Sequence, residues 1–192
     1  MKKLFGILLL AAVALGLSAR EVDLDFQKDL PAELINRSGK KVPTETALNG
    51  KMVAIYASAS WCGPCRAFTP KLVDFYKKVA KSAPMELIFL SLDKTEDAMM
   101  AYMKKDDMPW LAIPYDHPQR VKLMRKLGVP GIPRLYIFDA QGKMISSNAR
   151  WDVVMLEKKA VQEWQKEDYQ PLTYLDYQAK NGHKKDRKSR RK

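Results

Sequence analysis

Two cysteines stand three residues apart where the pattern of the chain changes. Met52 to Ala57 is a continuous apolar run, the pattern of a buried strand. From Pro64 to about Lys81 the apolar residues Phe68, Leu72, Phe75, Tyr76 and Val79 recur at intervals of three and four, with Lys71, Lys77, Lys78 and Lys81 opposite them. That is an amphipathic helix. Between the two lies Trp61-Cys62-Gly63-Pro64-Cys65-Arg66. A helix start leaves backbone N–H groups unpaired and carries the positive end of the macrodipole, so it stabilises an anion. A thiolate at Cys62 is such an anion, and its pKa is expected below that of a free cysteine. Pro64 suits a first helical turn, where its missing N–H costs nothing. Gly63 allows a partner's backbone to approach. Cys65, one turn deeper, can attack a mixed disulfide formed on Cys62. The chemistry these residues support is reversible dithiol–disulfide exchange. A purely structural bridge makes less sense, because so small a loop removes little entropy from the unfolded chain.

The rest of the body alternates strands and helices. Leu34 to Val42 reads as a short hairpin around Ser38-Gly39-Lys40, and Met85 to Leu92 as a second buried strand. Helices are expected over Thr95–Lys105, capped by Thr95, and over His117–Leu127, ending at Gly128. Leu135–Phe138 and Lys143–Ile145 form strands around the turn at Asp139–Gly142, and a helix from Trp151 to about Lys166 closes the body. Solid apolar strands separated by helices imply a sheet covered on both faces. Two final strands joined by a short turn must be antiparallel, so the sheet is mixed. The fold class is therefore α/β, a central mixed β-sheet with helices on both faces. Gly128-Val-Pro-Gly-Ile-Pro133 leads into the strand at Leu135, and a proline at a strand entrance is tolerated. His117 reads as a surface or capping residue. Asp93 follows a strand, where α/β sheets often place functional groups, but reads rather as a cap or loop residue. Trp110 reads as core or rim, or as a shaper of a substrate groove. Met99, Met100 and Met103 read as core filling.

Three segments in order carry a resemblance: Tyr56-Ala-Ser-Ala-Ser-Trp-Cys-Gly-Pro-Cys-Arg-Ala-Phe-Thr-Pro70, Met108-Pro-Trp-Leu-Ala-Ile-Pro114 and Val129-Pro-Gly-Ile-Pro133. The chain resembles the thioredoxin superfamily, most closely its tryparedoxin and nucleoredoxin branch, over roughly residues 33–148. The resemblance implies a thioredoxin-like fold with Cys62 as nucleophile and Cys65 as resolving thiol of a redox-active disulfide. It implies Pro133 as a cis-proline facing that disulfide, Ile132 as a backbone contact for the substrate chain, and Trp61 as a flanking residue. The sequence also departs from the family. Tyr56 stands where many thioredoxins carry a buried Asp, so the proton acceptor for Cys65 is unassigned. Gly63 stands where the branch often has proline. Arg134 follows the cis-proline position, where Thr is common. Arg134 and Arg66 either raise the positive potential near Cys62 and favour acidic substrates, or point to solvent.

Composition limits the alternatives. The only Cys and His residues are Cys62, Cys65, His117 and His183, whose spacing fits no zinc pattern, so no metal and no cofactor are expected. The formal net charge of +12 belongs mostly to the end of the chain: residues 180–192 hold eight Lys or Arg and one Asp, while 4–179 hold 24 basic and 21 acidic residues. That balance argues against a specific nucleic-acid face. Residues 171–192 read as a basic, disordered tail, with 180–192 able to make weak contact with anionic surfaces. Met1-Lys2-Lys3 followed by an apolar run to Leu17 reads as a signal peptide over 1–19, or as an uncleaved anchor. The thioredoxin-like domain then spans 20–170. The expectation is an exported, monomeric thiol–disulfide oxidoreductase, periplasmic or anchored facing the periplasm. It would act on protein disulfides and thiols in the reducing direction, with electrons from a membrane thiol donor. The alternatives are an oxidase or isomerase of secreted proteins, and a non-catalytic binding module using the basic tail.

Overall fold

The computed structural model describes residues 22–189, and side chains as far as residue 181. The expected leader over 1–19 and the last three residues of the expected tail lie outside the described residues. The elements run α1 (Phe26–Asp29), β1 (Glu33–Ile35), β2 (Lys41–Pro43), α2 (Thr44–Leu48), β3 (Met52–Ser58), α3 (Gly63–Val79), β4 (Met85–Ser91), α4 (Glu96–Lys105) and β5 (Leu111–Ala112). They continue with α5 (Pro118–Lys126), β6 (Arg134–Phe138), β7 (Met144–Ser146), α6 (Arg150–Leu156), a 3-10 turn at Glu157–Lys159, α7 (Ala160–Trp164) and α8 (Tyr174–Ser189). Seven strands form one sheet in the order β2-β1-β5-β4-β3-β6-β7. β3 lies inside the sheet, parallel to β4 and antiparallel to β6.

The continuous apolar strands exist because both sheet faces are covered. Successive side chains of a strand point to opposite faces. Met52, Ala54 and Tyr56 of β3 pack with Phe68, Leu72 and Val79 of α3 and with Met99 and Met103 of α4. Val53, Ile55 and Ala57 pack on the other side with Ala47, Leu48 and Leu123. Every residue of β3 is buried. Each large apolar side chain there stabilises the fold by about 1.5–3 kcal/mol, whereas an exposed ion pair such as Lys41–Glu33 is screened by water and adds little. The two-layer core therefore holds the sheet.

The hairpin, the strands over 52–57 and 85–92, the helices over 64–81, 95–105 and 117–127, and the caps agree with the sequence reading. Thr95 Oγ1 accepts from the Ala98 N–H, His117 Nδ1 accepts from the Gln119 N–H, and Gly128 ends α5 with φ +54°. Four features differ. β5 is only two residues long and sits inside Met108–Pro114, too short to show a period. The short helices α1 and α2 likewise lack a full apolar repeat. The closing helix is not continuous, because Glu157 adopts φ +50° and splits it into α6, the 3-10 turn and α7. Finally, the segment taken as disordered tail is helical over Tyr174–Ser189. Tyr174 and Tyr177 rest on the Trp151 ring at centroid distances of 5.3 and 4.9 Å, supplying the apolar anchor that the basic composition conceals.

Candidate active site

The site forms where β3 ends and α3 begins. Cys62 is the N-cap of α3, in extended backbone with φ −84° and ψ 110°. Cys62 and Cys65 are joined by a disulfide. The Cys65 N–H lies 3.2 Å from Cys62 Sγ, so the helix's free donors are aimed at that sulfur. Cys65 is fully buried, and Cys62 keeps 6% of its surface. Only Cys62 is open to attack from outside. Gly63 faces open space, since a Cβ added there would meet no atom within 4 Å.

The opposite wall comes from a distant part of the chain. Antiparallel pairing of β3 with β6 sets Ala57 against Arg134. The residues just before β6 are thereby placed beside those just after β3. The Ile132–Pro133 peptide is cis, and the Ile132 carbonyl oxygen lies 3.7 Å from Cys62 Sγ. Trp61 is 56% exposed and donates through Nε1 to the Leu92 carbonyl at 3.3 Å, forming a second edge. The structure thus brings Trp61, Cys62, Gly63, Pro64, Cys65, Ile132 and Pro133 together.

The two arginines singled out in sequence take different partners. Arg66 Nη1 donates to the Ser60 carbonyl at 3.0 Å, tying the first turn of α3 to the preceding loop. Arg134 is half-buried over the Tyr136 ring, and its Nε has no hydrogen-bond partner. Tyr56 is not a carboxylate substitute. Its hydroxyl lies 2.8 Å from Thr69 Oγ1, which lies 2.5 Å from the Tyr102 hydroxyl, and Thr69 also donates to the Cys65 carbonyl at 2.9 Å. Burial pushes the Tyr56 hydroxyl well above the ordinary phenol range, with the Tyr102 hydroxyl adding to it. The group stays neutral and serves as a scaffold under Cys65.

Sequence reasoning undervalued three residues. Asp93 is nearly buried, and its carboxylate accepts from the Ser60 N–H at 2.8 Å, the Ser60 hydroxyl at 2.6 Å and the Ser91 hydroxyl at 2.9 Å. It pins the loop that delivers Trp61 and Cys62, and its place just after a strand was the signal for it. Arg150 and Trp151 begin α6 and line a cavity with Pro64, Phe68 and Lys71 beside the disulfide. No sequence pattern marks them. Burial, then the nearby Arg134 guanidinium, holds the Arg150 pKa below the usual arginine range.

A mixed sheet, a dithiol pair at a helix N-terminus and a cis-proline across from it define a thioredoxin-fold redox protein. A family model described as thioredoxin-like matches residues 49–144, and the chain belongs to that family. Among known proteins it is similar to nucleoredoxin from Danio rerio, 39% identical over 120 residues covering 62% of this chain and 28% of that one. It is also similar to tryparedoxin from Trypanosoma brucei brucei, 40% identical over 123 residues covering 63% and 83%. A solved structure of tryparedoxin II from C. fasciculata superposes with a TM-score of 0.64 at 35% identity, covering 69% of this chain and 92% of that one. The chain spans less than a third of the length of the nucleoredoxins it matches.

Proposed function

We propose that this chain is an exported thiol–disulfide oxidoreductase that reduces disulfides of protein substrates. The Cys62 thiolate attacks one sulfur of a substrate disulfide, forming a mixed disulfide and releasing one substrate thiolate. The Cys65 thiolate then attacks Cys62 Sγ, releasing the second substrate thiolate and leaving the Cys62–Cys65 disulfide. Two electrons pass to the substrate, and a membrane thiol donor restores the dithiol. The observation that carries this reading is the asymmetry of the pair: Cys65 is sealed, while Cys62 meets solvent beside the cis Ile132–Pro133 peptide. An extended substrate strand would donate a backbone N–H to the Ile132 carbonyl, a role supported by its lying 3.7 Å from Cys62 Sγ. Support for the reducing direction comes from Gly63-Pro64 between the cysteines, as in reducing thioredoxins. Support for export comes from the basic start and apolar run over 1–17, and the periplasm is the compartment that fits.

The test is the redox equilibrium of Cys62/Cys65 against a dithiol buffer. A potential near −270 mV, about that of thioredoxin, supports a reductase, whereas one near about −120 mV makes the protein an oxidase. Failure to cycle between the two states removes the enzymatic reading. Export is tested separately, by locating the chain in fractionated cells of its source.

A further inference from the structure

Beside the disulfide is an open cavity of about 210 Å³, lined by Pro64, Phe68, Lys71, Arg150, Trp151 and Val154 among others. We propose that this cavity receives an acidic segment of the protein whose disulfide is reduced, so that the enzyme prefers substrates with carboxylates flanking the reactive cysteine. The proposal rests on the reductase reading above and adds a substrate class to it.

Three observations carry the inference. The first is charge without a partner. Among the described residues, every ion pair within 4.0 Å involves other cations, and neither Lys71 nor Arg150 meets a carboxylate. Arg150 Nε donates to Asn148 Oδ1 at 3.0 Å, which fixes the guanidinium and leaves its remaining N–H groups for a ligand. Burial and the neighbouring Arg134 both work against that charge, and an incoming carboxylate would relieve both.

The second is a wall held rigid from behind. Arg150 stands 5.7 Å from the Trp151 ring centroid, and the aromatic rings of Tyr174 and Tyr177 pack on that same indole. The chain leading to α8 is fastened to α6 through buried Asp152. Its carboxylate accepts from Trp164 Nε1 at 3.0 Å, the Tyr169 hydroxyl at 2.5 Å and the Leu172 N–H at 2.9 Å. A preorganised wall lowers the ordering cost of binding.

The third is size and place. The volume is below the roughly 300–1,000 Å³ of small-molecule sites and suits one or two side chains of an extended peptide. Pro64 borders the cavity and lies between the two cysteines, so the cavity begins at the first turn of the helix that carries them.

The experiment uses two disulfide-linked peptides that differ only in Glu or Gln on either side of the cysteine. The dithiol form of the full chain is mixed with each, and kcat/KM is measured at low and high salt. The Glu peptide is expected to be reduced about three- to tenfold faster, with the ratio shrinking as salt screens the charges. In Lys71→Glu the ratio falls to one or below. In Lys81→Glu, which makes the same charge change away from the cavity, the ratio is kept. Equal rates for the two peptides, or equal effects of the two variants, overturn the proposal in favour of no preference or of whole-molecule steering. Binding of a cysteine-free Glu-rich peptide to the oxidised protein decides the matter without turnover. Binding weakened by Lys71→Glu supports the cavity even if reduction fails, and identical binding by both proteins sinks it. Reduction of both peptides without discrimination leaves the reductase reading intact.

Discussion

Replacing Asp93 with alanine removes the one carboxylate that holds the loop in front of Cys62. Three donors lose it: the Ser60 N–H, the Ser60 hydroxyl and the Ser91 hydroxyl. A hydrogen bond to a charged acceptor contributes about 1.5–3 kcal/mol. The two hydroxyls can turn toward water or another acceptor and recover most of their share. The Ser60 N–H is fixed by the backbone and cannot. The expected loss is about 3 kcal/mol, which at about 1–3 kcal/mol per molar urea moves the unfolding midpoint down by about 1–3 M. Asp93→Asn keeps an oxygen for the Ser60 N–H and lets a hydroxyl reverse its direction, so it costs about 1 kcal/mol. Because Trp61 is also tied to Leu92, the loosened loop misplaces Cys62 as well. Disulfide reduction by Asp93→Ala is therefore expected to slow at temperatures where circular dichroism shows the fold intact. Urea unfolding of wild type, Asp93→Ala and Asp93→Asn, alongside peptide reduction, makes the measurement. An alanine variant within 0.5 kcal/mol of wild type, or one with wild-type reduction rates, refutes the positioning role.

Other consequences follow from the same geometry. Gly142 has φ +86°, and a Cβ there would stand 1.9 Å from the Leu24 carbonyl oxygen, so Gly142→Ala should cost about 2–4 kcal/mol and free the N-terminal arm to proteolysis. Cys65→Ser is expected to trap a mixed disulfide with substrate on Cys62, and Cys62→Ser none, as mass spectrometry of the intact adduct reports. Tyr56, Tyr76 and Tyr169 all hold their phenol protons above the ordinary value of 10.0, chiefly through burial. Above about pH 10 the unfolded chain has lost these protons while the folded chain keeps them. Stability is then unaffected below that pH and falls above it, by up to about 1.4 kcal/mol per pH unit for the well-buried Tyr56 and by less for the more exposed Tyr76 and Tyr169, where solvent screens the shift. A urea midpoint that stays flat between pH 10 and 11 contradicts this.

The fold was legible where local pattern and burial agree. The runs at 52–57 and 85–92 are apolar because both faces of the central strands are covered, and the three-and-four spacing over 64–81 marks the buried side of α3. Legibility failed where an element is too short to show a period, as with Leu111–Ala112. It also failed where a single backbone angle decides, as at Glu157, which no side-chain pattern announces. The basic end of the chain misled because net charge outweighed two tyrosines that find Trp151. At the site, the cysteines were visible because they stand only three residues apart in sequence. Arg150 was not, because its neighbour Lys71 lies 79 positions away, and Asp93 showed only its place after a strand, because its partner Ser60 lies 33 positions away and meets it only through tertiary packing.

The register of β6 on β3 has a consequence for when the protein becomes competent. Cys62 and Cys65 are neighbours on a helix and meet as soon as α3 forms, but Ile132, 70 positions after Cys62, and Pro133 arrive only when β6 docks against the sheet. Such long-range pairing is the slow part of folding, since it closes a long loop before it is rewarded. A half-folded chain therefore carries reactive sulfurs without the wall that selects a partner for them. On the proposed reductase reading, closure of the sheet acts as a proofreading step, adding the Ile132 wall against which a substrate strand would align.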